Sequence, residues 1–181
     1  AKEHVISGNW DRNLFYGNEL QNKTLGIVGF GRLGSMVAEY GMAFRMKILV
    51  HEINPIRKNE NYSYVSIEDL LKKSDIVSIH IDSSKNNYNF INHEKLSLMK
   101  PNSILINTSR GDIIDEDALL DKLNSGHIAG AAIDVLSDEY SKNKNWVYDS
   151  PLVKYAKRNN NLIITPHIGG VTFESTRRSN K

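Results

Sequence analysis

The sequence predicts an α/β fold, a doubly wound parallel sheet with helices on both faces and a strand order of about 3-2-1-4-5-6-7. Two observations predict this class. Short apolar runs alternate with helical patterns along the chain. The runs are apolar throughout instead of alternating with polar residues, which is typical of parallel strands covered on both faces. Such sheets bind ligands beyond the carboxyl ends of their strands, so the polar residues at those ends are the candidates for function.

The stretch LGIVGFGRLGS, residues 25–35, joins the first strand to the first helix. Its glycines, Gly29, Gly31 and Gly34, have G-x-G-x-x-G spacing. In a dinucleotide site the first glycine makes the tight turn, the second lets the pyrophosphate approach the backbone, and the third lets the helix lie close to the strand. Free N–H groups at the helix N-terminus then bind the anion. The helix itself is predicted by apolar residues at helical spacing: Leu33, Met36, Val37, Tyr40 and Phe44.

A second signal is needed to identify a dinucleotide site, because glycine-rich turns are common in proteins of many kinds. The run KILV at 47–50 predicts the second strand, and Glu52 lies just past its end. An acidic side chain at this point accepts hydrogen bonds from the adenosine ribose hydroxyls. The alternative is a surface carboxylate, but strand, glycines, helix, strand and acid all occur in order. We therefore predict NAD as the cofactor, since Glu52 would repel a 2′-phosphate; the neighbouring His51 leaves NADP open.

The N-terminal segment and the loop after Glu52 are polar. Val5, Ile6 and Trp10 are predicted to anchor a helical turn that ends near Gly8. The segment 53–64 is predicted to be a loop with a short edge strand.

Cap signals place the later helices. Ser66 begins a capping box, Asp115 opens a first turn rich in acids, and Ser150-Pro151 supplies an N-cap and a proline at the first helical position. Helices are predicted at 66–71, 93–100, 115–123, 150–156 and 172–178. The remaining strands are predicted at 75–81, 103–107, 128–135 and 162–165.

The composition excludes several classes of protein. The chain has 181 residues, 40% of them hydrophobic, which is enough for one domain with a real core. A net charge of +2 without a basic block argues against nucleic-acid binding, and no apolar run approaches the ~18 residues of a membrane span. The absence of cysteine excludes disulfides and thiolate metal sites, and no metal site is predicted. We expect a cytoplasmic protein.

Polar side chains follow four predicted strands, at the sheet edge where the glycine loop lies. They are His80, the run Thr108-Ser109-Arg110-Gly111, Asp134 with Glu139 close behind, and the run His167-Ile168-Gly169-Gly170. An arginine binds a carboxylate with two hydrogen bonds, a histidine passes a proton to or from a hydroxyl, and a carboxylate fixes the histidine tautomer. With a nicotinamide as hydride carrier, this set suits 2-hydroxy-acid or 2-keto-acid chemistry. Each side chain alone also has a plain alternative, as a strand cap, a turn or a solvated residue.

Four runs in order resemble a known family: LGIVGFGRLG, ILINTSRGDIIDEDAL, AAIDVLSDE and TPHIGG. Together they resemble the D-isomer-specific 2-hydroxyacid dehydrogenases, which include D-3-phosphoglycerate and D-lactate dehydrogenases. The opening SGNWDR resembles the segment by which that family enters its nucleotide domain, so the resemblance covers nearly the whole chain. It implies an NAD-dependent oxidoreductase with a Rossmann fold that acts on a small D-2-hydroxy or 2-keto acid.

The resemblance also implies roles for individual residues. Arg110 matches the substrate-binding arginine, Glu139 the catalytic glutamate and His167 the acid/base histidine. Glu52 stands where the family usually has aspartate. The residues implied to contact the cofactor are Gly29, Gly31, Arg32, Leu33, Gly34, Glu52, His80, Thr108, Ser109, Arg110, Asp134, His167, Gly169 and Gly170.

The chain departs from the family pattern at two loops. Asp82 and Tyr140 stand where the family usually has prolines, after His80 and Glu139 respectively. The segment between Glu139 and His167 is also long. These departures concern the shapes of the loops more than the set of arginine, glutamate and histidine.

The resemblance further implies how the chain is divided. We expect 1–22 to be a connecting helix and linker from a substrate domain, 23–170 to be the dinucleotide-binding domain, and 171–181 to begin a helix that returns to the substrate domain. The chain is then a cofactor domain that is inactive alone. Because family members pair through their nucleotide domains, a homodimer is expected. The alternative function is a non-enzymatic, NAD-sensing protein that resembles a corepressor.

Overall fold

Seven parallel strands form one sheet in the order β3-β2-β1-β4-β5-β6-β7, as predicted. The computed structural model describes residues 1–54 and 60–179, so part of the loop predicted at 53–64 lies outside the described residues. The strands are β1 (Thr24–Val28), β2 (Lys47–His51), β3 (Ser63–Tyr64), β4 (Ile76–Ile79), β5 (Ile104–Asn107), β6 (Gly130–Ile133) and β7 (Leu162–Ile164). The strand order reverses between β1 and β4, and the crevice beyond their carboxyl ends is where such sheets bind ligands.

Helices cover both faces of this sheet. They are α1 (Lys2–Ile6), α2 (Arg32–Ala43), α3 (Ile67–Lys73), α4 (His93–Leu98), α5 (Glu116–Asn124), α6 (Trp146–Asp149), α7 (Pro151–Ala156) and α8 (Phe173–Ser179). Ala38 of α2 packs with Ile27 in one buried cluster, whereas α3, α4, α5 and α7 join Val28 in a larger one. Neighbouring residues of β1 thus point to opposite faces, each with its own core. No helix in the described part of the chain is long and apolar enough to cross a membrane.

The predicted helix caps are confirmed. The side chain of Ser66 accepts a hydrogen bond from the Asp69 amide, and that of Asp115 accepts one from the Ala118 amide. Ser150 caps α7 in the same way, with Pro151 at the first helical position. Each cap satisfies an N–H group that the helix itself leaves without a partner, so the sequence sets where these helices begin.

Helix α2 lies on the sheet mainly through its small residues. Of the apolar residues that predicted the helix, Val37 is half-buried and packs against the core. Gly34, Ala38 and Gly41 are its buried residues. A Cβ on Gly41 would lie 2.8 Å from the side chains of Leu25 and Ile48, so the helix is as close to β1 and β2 as glycine allows. Most of the predicted apolar stripe is instead exposed, as the values for Leu33 (58%), Met36 (43%), Tyr40 (58%) and Phe44 (60%) show.

The predicted anchoring of the N-terminal segment is wrong. Val5, Ile6 and Trp10 are 48%, 73% and 88% exposed, and α1 has no buried residue. The helical turn itself is confirmed, and Gly8 follows it with a positive φ. Apolar side chains of these types are buried in most proteins. Residue type alone, however, does not reveal whether another part of the protein packs against them.

Candidate functional site

The glycine loop lies between the carboxyl end of β1 and the N-terminus of α2. Gly29 has a φ of +91°, and a Cβ there would lie 2.8 Å from the carbonyl oxygen of His80. A Cβ on Gly34 would collide with the carbonyl oxygen of Gly29, whereas Gly31, the N-cap of α2, faces open space. The first and third glycines are therefore required by packing. The second leaves room beside the free N–H groups of a helix that begins at Arg32 and Leu33.

Glu52 lies against this loop, beyond the end of β2. Its carboxylate accepts hydrogen bonds from the amides of Phe30 (2.8 Å) and Asn54 (3.0 Å). Burial alone would raise the pKa of Glu52, but these backbone hydrogen bonds outweigh it and leave the pKa below its ordinary value. The side chain is thus held as an anion beside the second residue of the glycine motif, where the sequence predicted the ribose-binding acid.

His80 follows β4 and borders the glycine loop from the other side. Its amide donates to the carbonyl of Val28, and its Nε2 lies 2.9 Å from the hydroxyl of Ser78. Burial lowers the pKa of His80, which favours the neutral ring. This arrangement is compatible with a cofactor contact and equally with the strand-cap alternative.

The turn that carries Arg110 is held by Asn107, a residue that the sequence analysis did not single out. Asn107 is 1% exposed; its amide group donates to the carbonyl of Arg110 (2.8 Å), and its oxygen accepts from the amide and the hydroxyl of Ser109. Thr108 and the Arg110 guanidinium are exposed, and the guanidinium donates to the carbonyl of Ser109. The sequence offered one signal for this role, which is an asparagine at the end of a predicted buried strand. A buried amide group needs hydrogen-bond partners, and the turn that follows supplies them.

The side chains of Glu139 and His167 lie within hydrogen-bonding distance of each other, as expected for a carboxylate that orients a histidine. The Nδ1 atom of His167 lies 2.9 Å from a carboxylate oxygen of Glu139, and the side chains are 39% and 13% exposed respectively. His167 has a φ of +53°, a left-handed conformation that residues with side chains rarely adopt. A proton on Nδ1 completes this hydrogen bond and leaves Nε2 free to exchange a proton with a ligand.

Asp134 holds the backbone turn on which His167 lies. Its buried carboxylate accepts hydrogen bonds from the hydroxyl of Thr165 and from the amides of Ile168 (2.9 Å) and Gly169 (2.7 Å). Its carbonyl accepts from the His167 amide. Burial alone would raise the pKa of Asp134, but these hydrogen bonds, chiefly that from Thr165, leave the pKa below its ordinary value. The cofactor contact that the sequence predicted for Asp134 stays a prediction, and the structure adds its role in holding this turn.

The structure therefore brings some of the predicted residues together and leaves others apart. Asp134, Glu139, His167 and Gly169 form one connected cluster at the carboxyl ends of β6 and β7. A cavity of about 890 Å³ opens beside it, lined in part by Tyr140, Trp146 and Ile163. Gly170 faces open space. Arg110 stands on the neighbouring turn, and no hydrogen bond within the described ranges joins it to Glu139 or His167.

A family model, related sequences and solved structures all relate this chain to one family. The family described as D-isomer specific 2-hydroxyacid dehydrogenase, NAD binding domain, matches residues 1–169. A glyoxylate reductase from Thermococcus litoralis is 41% identical in an alignment of 187 positions, gaps included, that covers 97% of this chain and 53% of the reductase. The structure of a D-2-hydroxyisocaproate dehydrogenase has a TM-score of 0.87 and 30% identity, and covers 96% of this chain and 55% of that one.

A D-lactate dehydrogenase from Aquifex aeolicus, solved with NAD and lactic acid, has a TM-score of 0.84 and 36% identity. The match covers 98% of this chain and 56% of that one. The chain thus spans about half the length of these relatives. It carries the glycine loop, Glu52 and the hydrogen-bonded pair of Glu139 with His167. The chain belongs to the D-isomer-specific 2-hydroxyacid dehydrogenase family, as its NAD-binding domain.

Proposed function

We propose that the protein acts as an NAD-dependent D-2-hydroxyacid dehydrogenase, which transfers a hydride between NAD(H) and a small 2-hydroxy or 2-keto acid. The observation that carries this proposal is the hydrogen-bonded pair of His167 and Glu139, which lies on the same sheet edge as the glycine loop. Glyoxylate, hydroxypyruvate and lactate are the candidate substrates, because relatives are named for them. In a protein that also carries the proposed substrate domain, oxidation of NADH with glyoxylate, hydroxypyruvate or pyruvate, the keto acid of lactate, tests the proposal.

The roles of the residues follow from their positions. Arg110 would bind the substrate carboxylate with two hydrogen bonds, since its guanidinium is exposed beside the site. His167 would pass the proton to or from the substrate oxygen, and Glu139 would hold the ring with its proton on Nδ1. The nicotinamide supplies or accepts the hydride when NAD is bound. In this proposal Arg110 binds the substrate, His167 transfers the proton, and Glu139 orients the histidine ring.

The residues at the glycine loop fit the cofactor. Gly31 faces open space at the N-terminus of a twelve-residue helix, which offers the pyrophosphate several free N–H groups. Glu52 provides a carboxylate next to this loop for the ribose hydroxyls. Further residues stay predictions as cofactor contacts: Arg32, Leu33, His80, Thr108, Ser109, Arg110, Asp134, His167, Gly169 and Gly170.

We expect this chain to bind NADH about fivefold or more tightly than NADPH. The anionic Glu52 would repel a 2′-phosphate by about 1 kcal/mol or more at a partly screened site. Calorimetric titration with each cofactor measures the difference. Glu52→Gln is the matched variant, since it removes the charge and keeps the shape of the side chain. In this variant the affinities for NADH and NADPH should become more similar. Equal affinities in the unmodified chain would contradict the role of Glu52.

The division of the chain is part of the same proposal. Residues 1–22 would connect to a substrate domain, 23–170 would form the dinucleotide domain, and 171–181 would begin the return to the substrate domain. The relatives are named as enzymes, which favours the dehydrogenase over the NAD-sensing alternative. A cytoplasmic location stays a prediction.

We also propose a homodimer that forms through the nucleotide domain. The exposed apolar stripe of α2 supports it, together with the exposed apolar residues of the N-terminal segment. If this surface pairs, Tyr40→Glu should shift the molar mass measured by light scattering from that of a dimer to that of a monomer. Ser125→Glu adds the same charge at an exposed position away from the stripe and should leave the mass unchanged. A monomeric unmodified chain would contradict the proposal.

A further inference from the structure

Three consecutive acids at the start of α5 have three different environments. Asp115 caps its own helix by accepting from the Ala118 amide, and Asp117 is exposed. Glu116 reaches away from the helix, and its carboxylate accepts a hydrogen bond from the amide of Ser137 at 2.7 Å. The sequence analysis assigned these acids only to the start of the helix, but Glu116 bonds to a separate loop 21 residues along the chain.

That loop leads from β6 to Glu139. Ser137 lies two residues before Glu139, and the amide of Glu139 donates to the carbonyl of Leu136 at 3.2 Å. A hydrogen bond to the Ser137 amide therefore fixes the backbone at the base of the turn that carries Glu139. Because the acceptor is a carboxylate, the bond is stronger than one between neutral groups.

A second contact holds the same loop from the side of Arg110. Gly111, which follows Arg110, lies so close to the backbone of Leu136 and Ser137 that a Cβ on Gly111 would collide with both. The loop is thus packed against the Arg110 turn and bonded to the first turn of α5. These two contacts set the position of Glu139 relative to Arg110.

We propose that Glu116 is a positioning residue, which holds the Glu139 loop and through Glu139 fixes the orientation and tautomer of the His167 ring. The proposal rests on the proposed function, because it concerns the Glu139–His167 pair. The path consists of two hydrogen bonds, Glu116 to the Ser137 amide and Glu139 to His167 Nδ1, joined by the short turn between them. Glu116 itself touches neither substrate nor cofactor in this assignment.

The test uses nitrogen-15 NMR on this chain, at a pH where the imidazole is neutral. In the unmodified chain we expect His167 as the Nδ1–H tautomer and slow exchange of the Ser137 amide. In the Glu116→Ala variant, the spectrum should no longer show a single tautomer of His167. Hydrogen exchange of the Ser137 amide should become about tenfold or more faster, which is the usual effect of losing a hydrogen bond to a charged group. Alanine is a strong helix former, so α5 should persist.

Two variants and one ligand control the experiment. Glu116→Gln keeps an acceptor oxygen and should restore the His167 signature, and Asp117→Ala should leave it unchanged. NADH affinity should change little in all variants, since the glycine loop and Glu52 keep their residues.

The results separate this proposal from the proposed function. If Glu116→Ala leaves the His167 tautomer and the Ser137 exchange as they were, the positioning role is refuted while the pair of Glu139 and His167 stands. If the unmodified chain shows no Nδ1–H tautomer at His167, the proposed pair and the positioning role are both overturned.

Discussion

Replacement of His167 by alanine, in the enzyme that carries both domains, is expected to lower kcat for 2-keto acid reduction by about 10²- to 10⁴-fold. The physical reason is the loss of the proposed proton donor, whose ring lies 2.9 Å from Glu139 and whose backbone turn is held by Asp134. NADH affinity should change little, because the glycine loop and Glu52 are untouched. Steady-state kinetics with glyoxylate, hydroxypyruvate and pyruvate measure the effect.

Three controls make this result specific. His93→Ala removes an exposed histidine on α4 and should leave kcat unchanged. Arg110→Ala should chiefly raise KM for the keto acid, because a carboxylate contact is lost. The isolated chain should show no turnover, since hydride transfer needs a held substrate and a site that excludes water. Normal activity of the His167→Ala enzyme would refute the mechanism and revive the NAD-sensing alternative.

The sequence predicted those features that depend on local patterns. The glycine spacing, the caps at Ser66 and Asp115, and the order of the strands each follow from rules about neighbouring residues or consecutive elements. The pairing of Glu139 with His167 was predicted because both follow strands of a parallel sheet, and the ends of such strands meet at one edge.

The features that could not be predicted depend on contacts between distant segments. The helical pattern identified α2, but the side of α2 that faces the sheet is the one with Gly34, Ala38 and Gly41, because only small residues allow so close an approach. Val5, Ile6 and Trp10 carry no local sign that they would lie exposed. The hydrogen bonds of Asn107 and Glu116 likewise become visible only when the chain is folded.

Substitution of Gly31 by valine is expected to weaken NADH binding by about 100-fold or more while the fold persists. Gly31 has a φ of −76°, which any residue adopts, and a Cβ there meets no protein atom within 4 Å. The open space is where the pyrophosphate would lie, and a side chain in it would block at least two charge-assisted hydrogen bonds, together worth roughly 3 kcal/mol or more. Calorimetric titration with NADH measures the loss, and thermal unfolding measures the fold.

The neighbouring glycines give the matched comparison for this last prediction. Gly34→Val should lower the unfolding temperature sharply, because the side chain would collide with the carbonyl of Gly29 inside the contact between α2 and β1. Gly17→Val places the same side chain in open space in the N-terminal segment, and both the fold and NADH affinity should be kept. The valine at 31 should cost only about 1 kcal/mol of stability, since valine is a poorer N-cap than glycine. Unchanged NADH affinity in the Gly31→Val chain would show that the cofactor does not bind at this loop, because the valine would occupy the open space beside Gly31 where the pyrophosphate is proposed to lie.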